Sequence, residues 1–231
     1  MPTYVIGDIH GCFDEFQKLL GKIHYAPGAD RLLAVGDLIG RGPQAGEVVR
    51  FFMENSLLSV QGNHERHLLQ PEHINFIPAW AAATGLPWPK VYSWLKKMPF
   101  YIEEKDYIVV HAGLHPDGRH PRETDPFLLT MIRSWDRKGS SDFNNPENPA
   151  WFEVVRPLKT VIFGHWASHG LINLPKFKGL DSGCVYGGGL TCYHVEADRM
   201  ISVPAAKRYY TNNEKKVQWP FQRGPSLAEE A

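Results

Sequence analysis

The stretch "RLLAVGDLIGRG", residues 31–42, decides how the chain folds. A short aliphatic run stops at Gly36, and Asp37 follows it directly. A run this short, bounded by glycine, reads as a buried strand rather than a helix. Arg41 stands four positions after Asp37, with Gly40 just before it. The same event recurs along the chain. "TYVIGDIHG", 3–11, carries Asp8 and His10, and "LLSVQGNHE", 57–65, carries Asn63 and His64. "DYIVVHAG", 106–113, ends at His111, and "TVIFGHW", 160–166, ends at His165. Between the first three runs lie segments of helical period. One holds Phe13, Phe16, Leu20 and Ile23, and the other opens at Pro43. Strand, helix, strand, helix, strand predicts parallel βαβ units with right-handed crossovers, hence an α/β fold. Ligands of such sheets bind beyond the carboxyl ends of the strands, so one sheet would bring all five turns to one rim.

Elsewhere the pattern is less regular. Residues 65–98 read as mostly helical, interrupted by Pro71, Pro78, Pro87 and Pro89. Trp80, Trp88 and Trp94 in this segment could stack an adenine, but a packed helical core is the better reading. Residues 100–113 read as a hairpin. Residues 115–158 are rich in Pro, Asp, Asn and Gly, with one short helix expected at 126–135. Residues 178–203 alternate strands with glycine-rich turns. One domain is expected over 1–205, followed by a polar extension over 206–231.

Composition excludes several classes. Of 231 residues, 43% are hydrophobic and 22% charged, as in soluble globular proteins. Lys+Arg and Asp+Glu number 25 each, so no global basic footprint for nucleic acid exists and no stable nucleic-acid partner is expected. Cys12, Cys184 and Cys192 lack metal-knuckle spacing and read as reduced thiols. The N-terminus has no leader pattern, and no stretch is long and apolar enough to span a membrane. A cytoplasmic protein without a membrane partner is expected.

The side chains at the five turns are aspartate, histidine and asparagine. This oxygen and nitrogen set without thiolate suits Mn²⁺, Fe or Zn²⁺. Asp8, His10, Asp37, Asn63, His111 and His165 are too many for one ion with an open position. They suit two divalent ions sharing a bridging carboxylate. Two aspartates leave the pair of ions about two positive charges, which a hydroxide and a phosphate group could neutralise.

In that order, "GDIHG", "GDLIGRG", "GNHE", "HAG" and "FGHW" resemble the signature series of the calcineurin-like metallophosphoesterases, in their phosphoprotein-phosphatase branch. The resemblance runs from Asp8 to His165. It implies a four-layer α/β/β/α sandwich with mixed sheets and two divalent ions, Mn²⁺ foremost. It places Asp8, His10 and Asp37 on the first ion, and Asn63, His111 and His165 on the second, with Asp37 bridging. It makes His64 the general acid and Arg41 the phosphate-binding arginine. Arg41 suits phosphate because its planar fork donates two parallel hydrogen bonds.

Gly40 departs from the protein serine/threonine phosphatases of this branch, which carry at that position an Asp that orients the histidine. The departure resembles the symmetrical dinucleoside tetraphosphatases and the wider ApaH-like phosphatases. "HLLQ", "FGHWAS" and above all "GLDSGCVYGGGLTC", 179–192, strengthen that likeness. Hydrolysis of diadenosine tetraphosphate to two ADP, by water activated between the ions, is the expectation. Protein serine/threonine phosphatase, polyphosphatase or capped-RNA phosphatase activity is the alternative. The segment between His111 and His165 looks short for a full tetraphosphatase. Arg133 and Arg137 could supply a second phosphate contact there or be exposed helix-end charges, and Tyr186 is a candidate to face the substrate.

Overall fold

The computed structural model describes residues 1–136 and 144–211. Arg137 and most of the 206–231 extension lie outside the described residues. The first parallel strands form as the sequence predicts. β1 (Thr3–Ile6), β2 (Arg31–Ala34) and β3 (Leu58–Ser59) run parallel, with Thr3 opposite Arg31 and Leu33 opposite Leu58. Their crossovers are α1 (Phe13–Lys22) and α2 (Ala45–Glu54). After α3 (Asn63–Leu68) and α4 (Trp88–Lys96), β4 (Tyr101–Glu103) and β5 (Tyr107–Val110) make the expected hairpin.

Two short helices follow, α5 (Pro126–Met131) and α6 (Trp151–Val154). The later strands are β6 (Thr160–Phe163), β7 (Ile172–Leu174), β8 (Phe177–Gly179), β9 (Gly189–His194) and β10 (Arg199–Pro204). They assemble into two mixed five-stranded sheets, ordered β10-β9-β1-β2-β3 and β4-β5-β6-β8-β7.

The five turns therefore come from two sheets, not from one. The reason lies in the strands' two apolar faces. Tyr4, Ile6, Leu32 and Ala34 pack under the helices of the first sheet, together with Phe16 and Phe52. Val5, Leu33 and Val60 point the other way and need a second cover. They meet Tyr107, Val109 and Ile162 in a seam between the sheets. The alternate residues Ile108, Val110, Val161 and Phe163 face outward beneath Leu128, Trp151 and Phe152. Period-two alternation with both faces apolar thus produces the helix, sheet, sheet, helix sandwich.

Several local expectations change. Residues 65–98 hold less α-helix than their composition suggests. Short 3₁₀ turns at Pro71–His73 and Ala79–Thr84 separate α3 from α4, and prolines introduce each new element. Trp80, Trp88 and Trp94 pack against the first core. The helix expected at 126–135 stops at Met131, because Ile132 turns extended with ψ 136°. Helix α6 was not legible, although its Trp151 is fully buried in the second core.

Candidate metal centre

Each predicted side chain leaves the carboxyl end of a parallel strand or the turn after it. Asp8 and His10 follow β1, Asp37 follows β2, and Asn63 opens α3 just after β3. His111 follows β5 and His165 follows β6. The structure brings all six together. Ligand-capable atoms of Asp8, Asp37 and His111 lie within 4.8 Å of one another, as do those of His10, Asp37 and His64. His10 Nε2 is 3.5 Å from Asp37 Oδ2 and 4.0 Å from Asp8 Oδ2. Asn63 Oδ1 stands 3.0 Å from His111 Nε2 and 2.9 Å from His165 Nδ1. The backbone N–H of His165 donates to both Asp8 carboxylate oxygens, at 3.2 and 3.1 Å, so the two sheets interlock at the site.

The hydrogen bonds around the cluster leave lone pairs suited to a cation. The His111 Nδ1–H donates to the Val35 carbonyl at 2.8 Å, and the His10 Nδ1–H donates to the Ile39 carbonyl at 3.1 Å. Each imidazole then presents Nε2 as a lone pair. Burial lowers the pKa of His111 and takes that of His10 down to about 3, against the pull of Asp37. Both rings are thus neutral acceptors. Yet His111 Nε2 faces two further acceptors, Asn63 Oδ1 at 3.0 Å and Asp37 Oδ1 at 3.5 Å. Lone pairs converging from nitrogen and oxygen in a buried place fit a divalent cation. Burial pushes the Asp37 carboxyl toward protonation, and the His64 backbone N–H that donates to Oδ1 at 3.0 Å works against it. Burial, Asp181 and Asp37 raise Asp8, which a cation there would reverse.

The backbone is bent to make this cluster. Seven described non-glycine residues have positive φ, and four belong here: His10 (46°), Asp37 (50°), Arg41 (62°) and His165 (67°). The left-handed region costs an L-residue about 1–2 kcal/mol and is retained where the surroundings over-determine it. Asp37 has a clear restraint. The fully buried Glu65 carboxylate accepts from Asp37 N–H (2.9 Å), Leu38 N–H (2.9 Å), Ile39 N–H (3.2 Å) and Gly62 N–H (2.9 Å). Burial and Asp37 push its pKa up to about 8. All four partners are donors, so the geometry favours the ionised carboxylate against that pressure. The sequence reading passed over Glu65, whose signal was its place three residues after Gly62 at the start of α3.

Gly40 has a steric role. Its φ is 90°, and a Cβ there would lie 2.2 Å from His64 Nδ1. The imidazole occupies the space where any side chain at position 40 would begin. His64 is held instead by its backbone N–H to Asp37 Oδ1 (3.0 Å) and by edge contact with the His10 ring, centroids 4.7 Å apart. Burial lowers its pKa, with Asp37 opposing.

The remaining candidates divide. Arg41 is exposed; its Nη1 lies 3.0 Å from His10 Nε2, and its guanidinium carbon lies 5.4 Å from the Tyr186 ring centroid. Arg133 is half-buried, not an exposed charge at a helix end. It donates to the His165 carbonyl (3.3 Å) and to Asn144 Oδ1 (3.2 Å), so it braces the second-sheet turn. Asp181, within the glycine-rich 179–192 stretch, is buried beside the cluster. Burial, partly offset by the Gly183 N–H, raises its pKa to about 6. It was not among the residues singled out from sequence.

The calcineurin-like phosphoesterase profile matches residues 1–169, which hold every candidate ligand. The chain belongs to the calcineurin-like phosphoesterases. It is therefore a hydrolase acting on phosphorus-containing bonds, and divalent metal ions are part of that family's chemistry. The symmetrical bis(5'-nucleosyl)-tetraphosphatase of Shewanella baltica strain OS185 is 32% identical, over 90% of this chain and 100% of the relative. The enzyme of that name from Neisseria meningitidis serogroup A is 30% identical, over 89% of this chain and 96% of the relative. A crystal structure provisionally designated a diadenosine tetraphosphatase superimposes with a TM-score of 0.78 at 33% identity, covering 88% of this chain and 93% of the other. The Shewanella alignment runs over 273 positions although this phosphoesterase has 231 residues, so the relative carries stretches with no counterpart here. No helix among the described residues is long and apolar enough to cross a membrane.

Proposed function

We propose that this phosphoesterase splits diadenosine tetraphosphate centrally into two ADP, in the cytoplasm, with two divalent ions, most simply Mn²⁺, at the interlocked strand ends. The convergence of His10 and His111 Nε2 on the Asp8 and Asp37 carboxylates, with Asn63 Oδ1 against His111 Nε2, carries the two-ion reading. Asp8, His10 and Asp37 would hold one ion, and Asn63, His111 and His165 the other, with Asp37 shared. Bound there, the ions would supply an acidified water and neutralise phosphate charge.

The chain's own residues supply the rest. Arg41 sits on the open side of the cluster, where its fork can take phosphate oxygens as charge develops. His64 lies beside His10 and is the candidate to protonate the leaving oxygen. Its lowered pKa makes it a stronger acid but leaves less of it protonated near neutral pH. A nucleoside diphosphate leaves as an already stable anion and needs little help, whereas a serine alkoxide needs a firmly placed acid. The Gly40 contact leaves no room for a carboxylate side chain at position 40 against this His64 ring, which favours anhydride over phosphoserine hydrolysis. The names of the relatives at 30–32% identity support the same substrate class.

The direct test is product analysis of the Mn²⁺-loaded protein with diadenosine tetraphosphate and, separately, a phosphoserine peptide. ADP alone is expected. ATP with AMP would keep the chemistry and overturn the central register. Phosphate from the peptide with no nucleotide product would make it a protein phosphatase. His64→Ala should lower turnover of a phosphopeptide far more than that of the dinucleotide, and equal losses on both would sink the leaving-group argument.

A further inference from the structure

Beyond the last strand, residues 205–211 return to the site as a strap. Ala205 N–H donates to the Gly188 carbonyl at 2.8 Å, and the N–H groups of Tyr209 and Tyr210 both donate to the Val185 carbonyl at 3.0 Å. Arg208 Nε donates to the Tyr186 carbonyl at 3.0 Å. The fully buried Glu15 on α1 accepts from Ala206 N–H (2.9 Å) and from the Tyr209 hydroxyl (2.8 Å). These bonds tie the strap to the turn carrying Tyr186. They set the Tyr186 and Tyr210 rings 6.2 Å apart at 69°, with the Arg41 guanidinium carbon 5.4 Å from one centroid and 5.8 Å from the other.

We propose that Tyr210 is a positioning residue: with Tyr186 it clasps the Arg41 guanidinium and holds it ready for a substrate phosphate. This rests on the reading of Arg41 as a phosphate contact. The chemistry of the clasp fits that task. Arg41 has no carboxylate partner among the described residues. A carboxylate would fix the arginine but would occupy its N–H fork and repel the incoming phosphate. An aromatic face attracts the cation through the ring quadrupole and leaves the fork free. The other polar contact, to His10 Nε2, uses a lone pair that a metal ion would claim. The two rings are the contacts that do not compete with either ligand. Holding a long side chain in advance also reduces the ordering loss when phosphate binds.

The test is the affinity of the Mn²⁺-loaded protein for inorganic phosphate, by calorimetric titration. Wild type, Tyr210→Phe, Tyr210→Leu, Arg41→Ala and the Tyr210→Leu/Arg41→Ala double variant are compared. Tyr210 is exposed, so its replacements should fold, and melting curves check this. Tyr210→Leu should bind phosphate about two- to five-fold more weakly, the range of one exposed cation–π contact. Tyr210→Phe should restore binding, and Tyr210→Leu should add nothing once Arg41 is gone. Weaker binding in Arg41→Ala with wild-type binding in Tyr210→Leu would overturn the clasp alone. Wild-type binding in Arg41→Ala would overturn the reading of Arg41 itself. Equal losses in Tyr210→Phe and Tyr210→Leu would assign the effect to the hydroxyl and overturn the proposal.

Discussion

At the scale of single residues, the site is built from conformations that most residues avoid. Asp37 and Arg41 both sit at positive φ, on either side of Gly40 at 90°. Gly40 is required twice, by its backbone and by the His64 ring that fills its missing side chain's place. Gly40→Ala is therefore expected to push His64 out of register. Turnover of a phosphoserine substrate should fall by about tenfold or more, and that of the dinucleotide less, as for misplacement of a catalytic group. The left-handed backbone should cost about 1–2 kcal/mol of stability. Steady-state kinetics with a melting curve checks both, and wild-type turnover would show that His64 placement is immaterial. The fourfold acceptance by Glu65 is the same economy seen from the other side, with one carboxylate satisfying four N–H groups that strained loops cannot pair among themselves.

At the scale of elements, strands end and helices begin where ligands are needed. Asn63 is the first residue of α3, and Glu65 in the same turn reaches back to the loop after β2. This helix thus carries one candidate ligand and fixes the backbone of another. Glu65→Gln keeps the volume but replaces one accepting oxygen by an NH₂ that faces N–H donors. Loss of two accepted bonds with a buried mismatch should cost about 2–3 kcal/mol. The Asp37 loop should relax and Mn²⁺ affinity drop by about tenfold or more, as when a partner that orients a ligand is lost. Denaturant melts and a metal titration test this. A variant with weakened stability but unchanged Mn²⁺ affinity would confine Glu65 to folding.

At the scale of the molecule, the candidate ligands are divided between the sheets. Asp8, His10, Asp37 and Asn63 follow strands of one sheet, and His111 and His165 follow strands of the other. Ions bound to both sets would cross-link the sandwich along its buried seam. Ligand linkage at a hundred times the dissociation constant stabilises by about 2.7 kcal/mol. For a chain of this size that raises Tm by about 5–10 °C. Mn²⁺ should therefore raise Tm, a chelator should reverse it, and His111→Ala should show a clearly smaller rise. An unchanged Tm on adding Mn²⁺ would mean that no ion bridges the sheets.

The sequence by itself determined the strand ends, the βαβ start and all six side chains now found together. It could do so because each lies within a few residues of a short apolar run, and period-two burial is a local signal. Asp37 and Gly36 announce their turn without any distant partner. What the tertiary structure decided are the facts that depend on contacts far apart in the chain. The sharing of ligands between two sheets follows from Val5 and Leu33 meeting Val109 and Ile162, which no local pattern states. The steric reason for Gly40 needs a ring supplied 24 positions later, at His64. The clasp on Arg41 needs Tyr210, carried back by a strap whose anchor, Glu15, lies near the other end of the chain. Local composition specifies which residues can do chemistry; packing across the whole chain specifies which of them touch.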